Sequence, residues 1–321
     1  MKVVTKLVAF VFVLSLCLVS TAWAAKWPDR PITLIVNYGG GGGTDTSARI
    51  LAKAAEKHLG VPITVINKTG GFGTTGLIEV MNKKADGQTI GVGTYAPLTI
   101  MPYMMKLPFT PANFDYIMSY GVYGYGIAVK ADSPIKSAAD IAKVFKEKGK
   151  LSYSASGYPQ PFAMLKIGEV ANIKFDHIPV KSSTEAYTSL LGGHVDLTCI
   201  VLGDILPLVK SGEVRLLGVC SPERLAIAPD VPTMREQGFD AILNSRLTIC
   251  APKGVPADKL KVLRDAFAKA FEDKEFQDVM GKLNMPAVYA TGEDTWTDIN
   301  AVFAETKKNL DAMGVLDQQK K

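Results

Sequence analysis

The sequence predicts an α/β protein of two lobes joined by two crossing strands, and three observations predict it. Short apolar strands alternate with helical stretches along nearly the whole chain, the rhythm of βα units and of a parallel sheet covered on both faces. Two distant segments look alike: "YGIAVKADSPIKSAADIAKVFKEK" (125–148) and "LTICAPKGVPADKLKVLRDAFAKA" (247–270) each give an apolar strand, a turn with proline and an amphipathic helix. Between them lies a second strand series, "KLSYSAS", "ANIKFDHIPV", "VDLTCIVL" and "VRLLGVC". A chain that enters a second lobe on one strand and returns on a similar one leaves a cleft between the lobes. Ligands of open α/β folds bind at the carboxyl ends of strands, so that cleft is the expected site.

The elements follow in order. Lys2 and Lys6, the apolar run Leu7 to Val19 and the small residues of Ala22-Trp23-Ala24 read as a secretory leader cut after Ala24. Leu16 before Cys17 argues against lipidation. Lobe 1 is expected over 25–124 plus 247–321, and lobe 2 over 125–246. "ITLIVNY" (32–38) is a strand leading to a helix at 44–59. "ITVIN" (63–67) leads to a helix at 74–83, and "TIGVGT" (89–94) is followed by a proline-rich segment. The last helices, about 256–282 and 292–313, are expected to pack back on lobe 1.

Composition narrows the function. Charged residues are 21% and apolar residues 47%, ordinary for a globular protein. The net charge of +5 becomes +3 once Lys2 and Lys6 leave, with no basic stripe, so no nucleic-acid partner is expected. Cys199, Cys220 and Cys250 sit in apolar strand-like runs and read as buried small hydrophobes.

The glycine-rich turns carry the functional signal. "NYGGGGGTDTSAR" (37–49) is not a phosphate loop of the Lys-Ser/Thr type, because Thr44-Asp45 follows the last glycine. "GFGTTG" (71–76) matches a dinucleotide fingerprint, but the next strand ends "GVGTYAP" without the ribose-binding acid. What remains is an anion at helix N-termini, where unpaired N–H groups and a partial positive charge converge and glycine leaves them accessible. Such turns fall at 39–44, 70–75, 93–96 and 154–160. Asp45 is expected to cap its own helix at Thr46–Ser47 rather than touch ligand. His58, His177 and His194 form no metal pair, "YSASG" lacks the first glycine of a nucleophile elbow, and no Cys-x-x-Cys occurs. Neither an enzyme, a metal site nor a cofactor is expected.

These residues resemble a known family. "WPDRPITLIVNYGGGGGTDTSAR", "NKTGGFGTTG", "KADGQTIGVGT", "KLSYSASG", "LLGGHVDL", "RLLGVCSPERLAIAPDVPTMREQGFD" and "APKGVP" are similar to the solute-binding proteins of tripartite tricarboxylate transporters, also called Bug receptors. The resemblance covers the chain after the leader. It implies a type II periplasmic binding fold, a monomer in the periplasm, a small carboxylate ligand (a di- or tricarboxylate or an aromatic acid), and delivery to a two-subunit membrane permease. The ligand-binding residues it implies are Tyr38, Gly40, Gly42, Thr44, Gly73, Thr74 and Thr94 in lobe 1, and Ser154, Gly157, Tyr158, Gln160 and Ser182 in lobe 2. Arg246 resembles members nearer to citrate binders and either grips a second carboxylate or serves the hinge. Ile200 stands where many relatives carry an aspartate available to a ligand amino group, which argues against amino-acid ligands. Two other readings stay open: a receptor signalling to a membrane sensor kinase, and a secreted α/β enzyme acting on such an acid.

Overall fold

The computed structural model describes residues 27–243 and 245–318, so the expected leader at 1–24 lies outside the described residues. In lobe 1, β1 (Ile32–Val36), α1 (Gly43–Leu59), β2 (Ile63–Asn67), α2 (Thr74–Met81) and β3 (Thr89–Thr94) come first. Two short helical stretches, Ala96–Ile100 and Met101–Met104, fill the proline-rich segment. β4 (Phe114–Tyr123) then carries the chain out.

Lobe 2 holds β5 (Tyr125–Lys130), α3 (Asp140–Lys148), β6 (Ser152–Ala155), α4 (Gln160–Ala171), β7 (Asp176–Pro179), α5 (Ser183–Leu191), β8 (Leu197–Val201), α6 (Leu202–Lys210) and β9 (Val214–Val219). β10 (Ser245–Pro252) returns the chain, and α7 (Ala257–Phe271), α8 (Lys274–Lys282), β11 (Ala290–Thr291) and α9 (Gly292–Ala312) follow.

The sheets are mixed rather than wholly parallel. Lobe 1 has the order β11-β4-β10-β3-β1-β2 and lobe 2 the order β7-β6-β8-β5-β9. β1, β2 and β3 are parallel, but β10 runs against both β3 and β4. In lobe 2, β5 runs against both β8 and β9, while β6 is parallel to β7 and β8. The physical reason is the crossing itself. β5 and β10 enter their lobes from the cleft, so each opposes neighbours that must end there. At Gly124, between β4 and β5, an added Cβ would stand 2.9 Å from terminal methyl carbons of Leu202 and Leu225, so those side chains would have to shift to admit it.

Apolar periodicity builds the core. Ala48, Leu51, Ala52, Ala55 and Leu59 recur on one face of α1 and are buried with Leu263, Phe267 and Ala270 of α7. Gly60 ends α1 in the left-handed region at φ 75°, its N–H donating to the Glu56 carbonyl. The late helices do pack on lobe 1, α7 and α8 on α1 and α9 on β4. Beyond that contact, Leu310 near the end of α9 is buried in one apolar cluster with Phe162, Met164 and Leu243 of lobe 2 and with Ile100 and Met101. Cys199, Cys220 and Cys250 are buried free thiols. Among the described residues no helix is long and apolar enough to cross a membrane.

Candidate functional site

The carboxyl ends of β1, β3 and β4 in lobe 1 and of β6, β8 and β9 in lobe 2 lie at the ends of their sheets where β10 and β5 begin, as the strand directions require, which is where ligands of open α/β folds bind. The lobe 1 wall is built around the glycine turn. Gly41 takes φ 83°, a conformation that favours glycine, and Gly42 is the N-cap of α1 without any side-chain cap. The first-turn N–H groups of Gly43 and Thr44 are therefore left without a capping acceptor.

Asp45 does not cap Thr46 or Ser47, which corrects the sequence expectation. Its carboxylate accepts from the Gly41 N–H at 2.8 Å, from Arg49 Nε at 2.9 Å and from Asn67 Nδ2 at 2.7 Å. The side chain is turned back under the loop, and the residue is 3% exposed. Burial pushes its carboxyl up, but the bonds from Arg49, Gly41 and Asn67 outweigh that and hold it below the usual aspartate range. A depressed folded-state value adds stability that is complete above the unfolded value of about 3.9 and is lost as pH falls through the folded one. Urea unfolding of the protein and of Asp45→Asn should therefore show a stability gap that is constant above about pH 5 and closes as the pH falls through the carboxylate range. A gap that widens on acidification would contradict this role.

Three candidate hydroxyls meet on this wall. Asn37 Nδ2 donates to Thr94 Oγ1 at 3.3 Å, and Thr94 donates to the Tyr38 oxygen at 3.3 Å, which leaves the phenol proton free. Thr44 Oγ1 and the Tyr123 hydroxyl are 2.7 Å apart. Burial pushes the Tyr38 and Tyr123 phenols up, so both remain neutral donors. Gly73, the N-cap of α2, sits at φ 90°, and its carbonyl accepts from Asn37 Nδ2 at 3.3 Å. Thr74 is turned away, donating to the Gly71 carbonyl at 2.8 Å. Gly40 is exposed beside Asn67 and Asp45.

The lobe 2 candidates are less converged. Ser154 is fully buried and donates to the Ala186 carbonyl at 3.1 Å, tying β6 to α5. Gly157 takes φ 145° in open space. Tyr158 is half-buried, its ring 5.1 Å from that of Phe162. Gln160 Nε2 donates to Ser156 Oγ at 3.3 Å, and its buried Oε1 has no partner among the described residues. Ser182 is the N-cap of α5 and accepts from the Glu185 N–H at 3.2 Å.

Arg246 is not brought to this cluster. It pairs with Val122 across β10 and β4, one step out of phase with Ser245 and Tyr123. Its guanidinium forms an ion pair with Asp298 of α9, against Tyr95, Thr99, Ile299 and Val302. Among the described residues, its buried Nε and Nη1 have no hydrogen-bond partner.

Asn37, Asn67 and Tyr123 were missed by sequence reasoning. Asn37 and Tyr123 end or follow cleft-directed strands, a positional signal that becomes readable only once strand direction is known. Asn67 is recognisable only through its bonds to the Tyr38 carbonyl at 2.8 Å and to Asp45.

Comparison with known proteins agrees with this architecture. The family model described as "Tripartite tricarboxylate transporter family receptor" matches residues 47–315. A Cupriavidus necator protein named "UPF0065 protein in gbd 5'region" is 34% identical over 302 residues, covering 93% of this chain and 92% of that protein. Protein BugT of Bordetella pertussis is 27% identical over 305 residues, covering 91% and 92%. A TctC solute binding protein from Polaromonas, solved with no ligand, superposes with a TM-score of 0.83 at 29% identity, over 89% of this chain and 99% of that one.

Proposed function

As this chain belongs to the receptor family of tripartite tricarboxylate transporters, we propose that it captures a small carboxylate in the interlobe cleft and delivers it to a two-subunit membrane permease. The observation that carries this reading is the uncapped N-terminus of α1, with free N–H groups beside the free phenol proton of Tyr38 and the Thr44–Tyr123 hydroxyl pair. Neutral donors and a helix dipole hold a carboxylate without a fixed cation. The ligand contacts of the proposal are Tyr38, Gly40, Gly42, Thr44, Gly73 and Thr94 from lobe 1, with Gly157, Tyr158 and Gln160 closing from lobe 2. Ser154, Thr74 and Ser182 act one step behind, holding backbone in place. Closure of the lobes on the ligand is the signal for delivery.

The proposal includes export through the leader at 1–24, action as a periplasmic monomer, and no catalysis. A second carboxylate on the ligand would have used Arg246, which is instead engaged with Asp298. The test is calorimetric titration of the leader-free, unfolded and refolded protein against a panel of aliphatic, hydroxylated and aromatic mono-, di- and tricarboxylates. Saturable 1:1 binding by at least one acid is expected, with loss on Tyr38→Phe of about tenfold, the size of one hydrogen bond to a charged group. Binding by none refutes the reading.

A further inference from the structure

The turn "GFGTTG" (71–76) carries one side chain that the fold leaves bare. Phe72 is 75% exposed, the most open large apolar side chain among the described residues, and Val170 follows at 59%. Its backbone sits at φ 56° and ψ 32°, in the left-handed region that a bulky residue rarely adopts. Gly70, Gly71 and Gly73 around it also take positive φ, which glycine does without steric conflict. A fourth glycine would be the relaxed choice in the middle of this run. The chain places a phenyl ring there instead.

The turn stands on the lobe 1 wall. The Lys68 N–H donates to the Val36 carbonyl at 2.8 Å, which ties the chain after β2 to the end of β1. A Cβ at Gly73 would stand 3.1 Å from the Tyr38 ring and 3.0 Å from Pro97 Cγ. Phe72 is thus rooted one residue, about 3.8 Å along the chain, from the place where the turn meets the Tyr38 phenol. Tyr38, Thr44, Thr94 and Tyr123 gather as neutral polar groups on this wall. They suit a carboxylate, and the ring suits the other end of the same molecule. Among the residues that close from lobe 2, Tyr158 is aromatic as well, half-buried against Phe162.

Both features are unfavourable in the free protein. A residue with a Cβ is disfavoured in left-handed backbone, and a ring in water gives up the gain of burial. Little burial offsets either at Phe72. Strain of this kind persists where a second state of the molecule makes use of it. Two things can cover the ring: the body of the ligand, or lobe 2 itself on closure. Position favours the ligand. An acid held by its carboxylate on the Tyr38 wall has its remaining atoms within reach of a ring rooted on that same wall, before any movement of the lobes.

We propose that Phe72 is a specificity-determining residue: its ring packs on the body of the bound acid and selects acids with a hydrocarbon chain or ring. This rests on the carboxylate-receptor reading and narrows it. A hydroxylated polyacid placed the same way would lose water from its hydroxyl groups against the ring and gain no partner for them, which costs free energy. A short acid would bind the donors and leave the ring wet.

The experiment is calorimetric titration of the leader-free, unfolded and refolded protein with acetate, hexanoate, benzoate and malate, repeated on Phe72→Gly and Phe72→Leu. Hexanoate and benzoate should bind at least about tenfold tighter than acetate, the effect of burying about 55 Å² of hydrocarbon, and malate more weakly than either. Phe72→Gly should erase most of that preference and leave acetate within about twofold. Its ligand-free melting midpoint should stay within about 2 °C of the parent or rise, because glycine relaxes the backbone. Phe72→Leu should keep the hexanoate preference, since it keeps an apolar side chain. An equal loss for acetate and hexanoate in Phe72→Gly would mean that the ring packs on lobe 2. A preference that survives Phe72→Gly, malate binding tightest, or a midpoint lowered by more than about 5 °C would also overturn the inference, and a carboxylate receptor would still stand. No binding by any acid would remove both.

Discussion

Asp298→Ala is expected to cost about 2–3 kcal/mol of folding stability, near the lower end for breaking a buried ion pair because Asp298 is partly exposed. The physical reason lies with the partner left behind. The Arg246 side chain is 17% exposed, its Nε and Nη1 have no hydrogen-bond partner among the described residues, and Asp298 is its compensating charge. Arg246→Met should cost less, because it removes the buried charge and leaves a carboxylate that water can reach. Urea denaturation of both variants checks the order. A loss below about 0.5 kcal/mol for Asp298→Ala would mean that the pair is solvated and idle. Affinity for mono- and dicarboxylates should shift together in Arg246→Met, since the guanidinium ties the crossing strand to α9 rather than facing ligand. A selective loss for dicarboxylates would return Arg246 to the binding site.

The second large effect is expected at Gly73. A methyl group there would stand 3.0 Å from Asn37 Nδ2, 3.0 Å from Pro97 Cγ and 3.1 Å from the Tyr38 ring, at a φ of 90°. Gly73→Ala should lose about 1–2 kcal/mol of stability to the backbone conformation alone. It should also weaken acid binding by about tenfold or more, because the displaced groups orient the Tyr38 proton that would donate to a charged ligand. Gly60→Ala is the matched control. Its φ is 75° but nothing lies within 4 Å of the added carbon, so it should carry the backbone cost and bind normally. Equal affinity loss at both positions would show that the effect is global destabilisation rather than a disturbed site.

Much of this fold is legible in the amino-acid sequence. β2 and β3 fall where the apolar runs put them, and α1 begins within one residue of its expected start. The mixed direction of the sheets was not legible, because hydrophobic alternation reports burial and carries no information on which way a buried strand runs. The site was half legible. Glycine turns before helices are a local signal, so the lobe 1 wall could be read from 37–49. The lobe 2 wall could not: Ser154 looks like a ligand donor in "SYSASG" until its bond to the Ala186 carbonyl, 32 residues away, is seen. Arg246 could not be decided from its own neighbours in sequence, because its partner is 52 positions on, in a helix with no motif.

The apolar cluster that joins Ile100, Met101 and Leu310 to Phe162, Met164 and Leu243 gives the molecule a glued spine. Two bare crossings alone would let the halves gape like a loose book. Prising these covers wide would wet the spine, at about 25 cal/mol for every Å² of hydrocarbon exposed. The economical motion is therefore a small roll of one half over the other, with the back kept dry and the fore-edge opening just far enough to admit or release a guest.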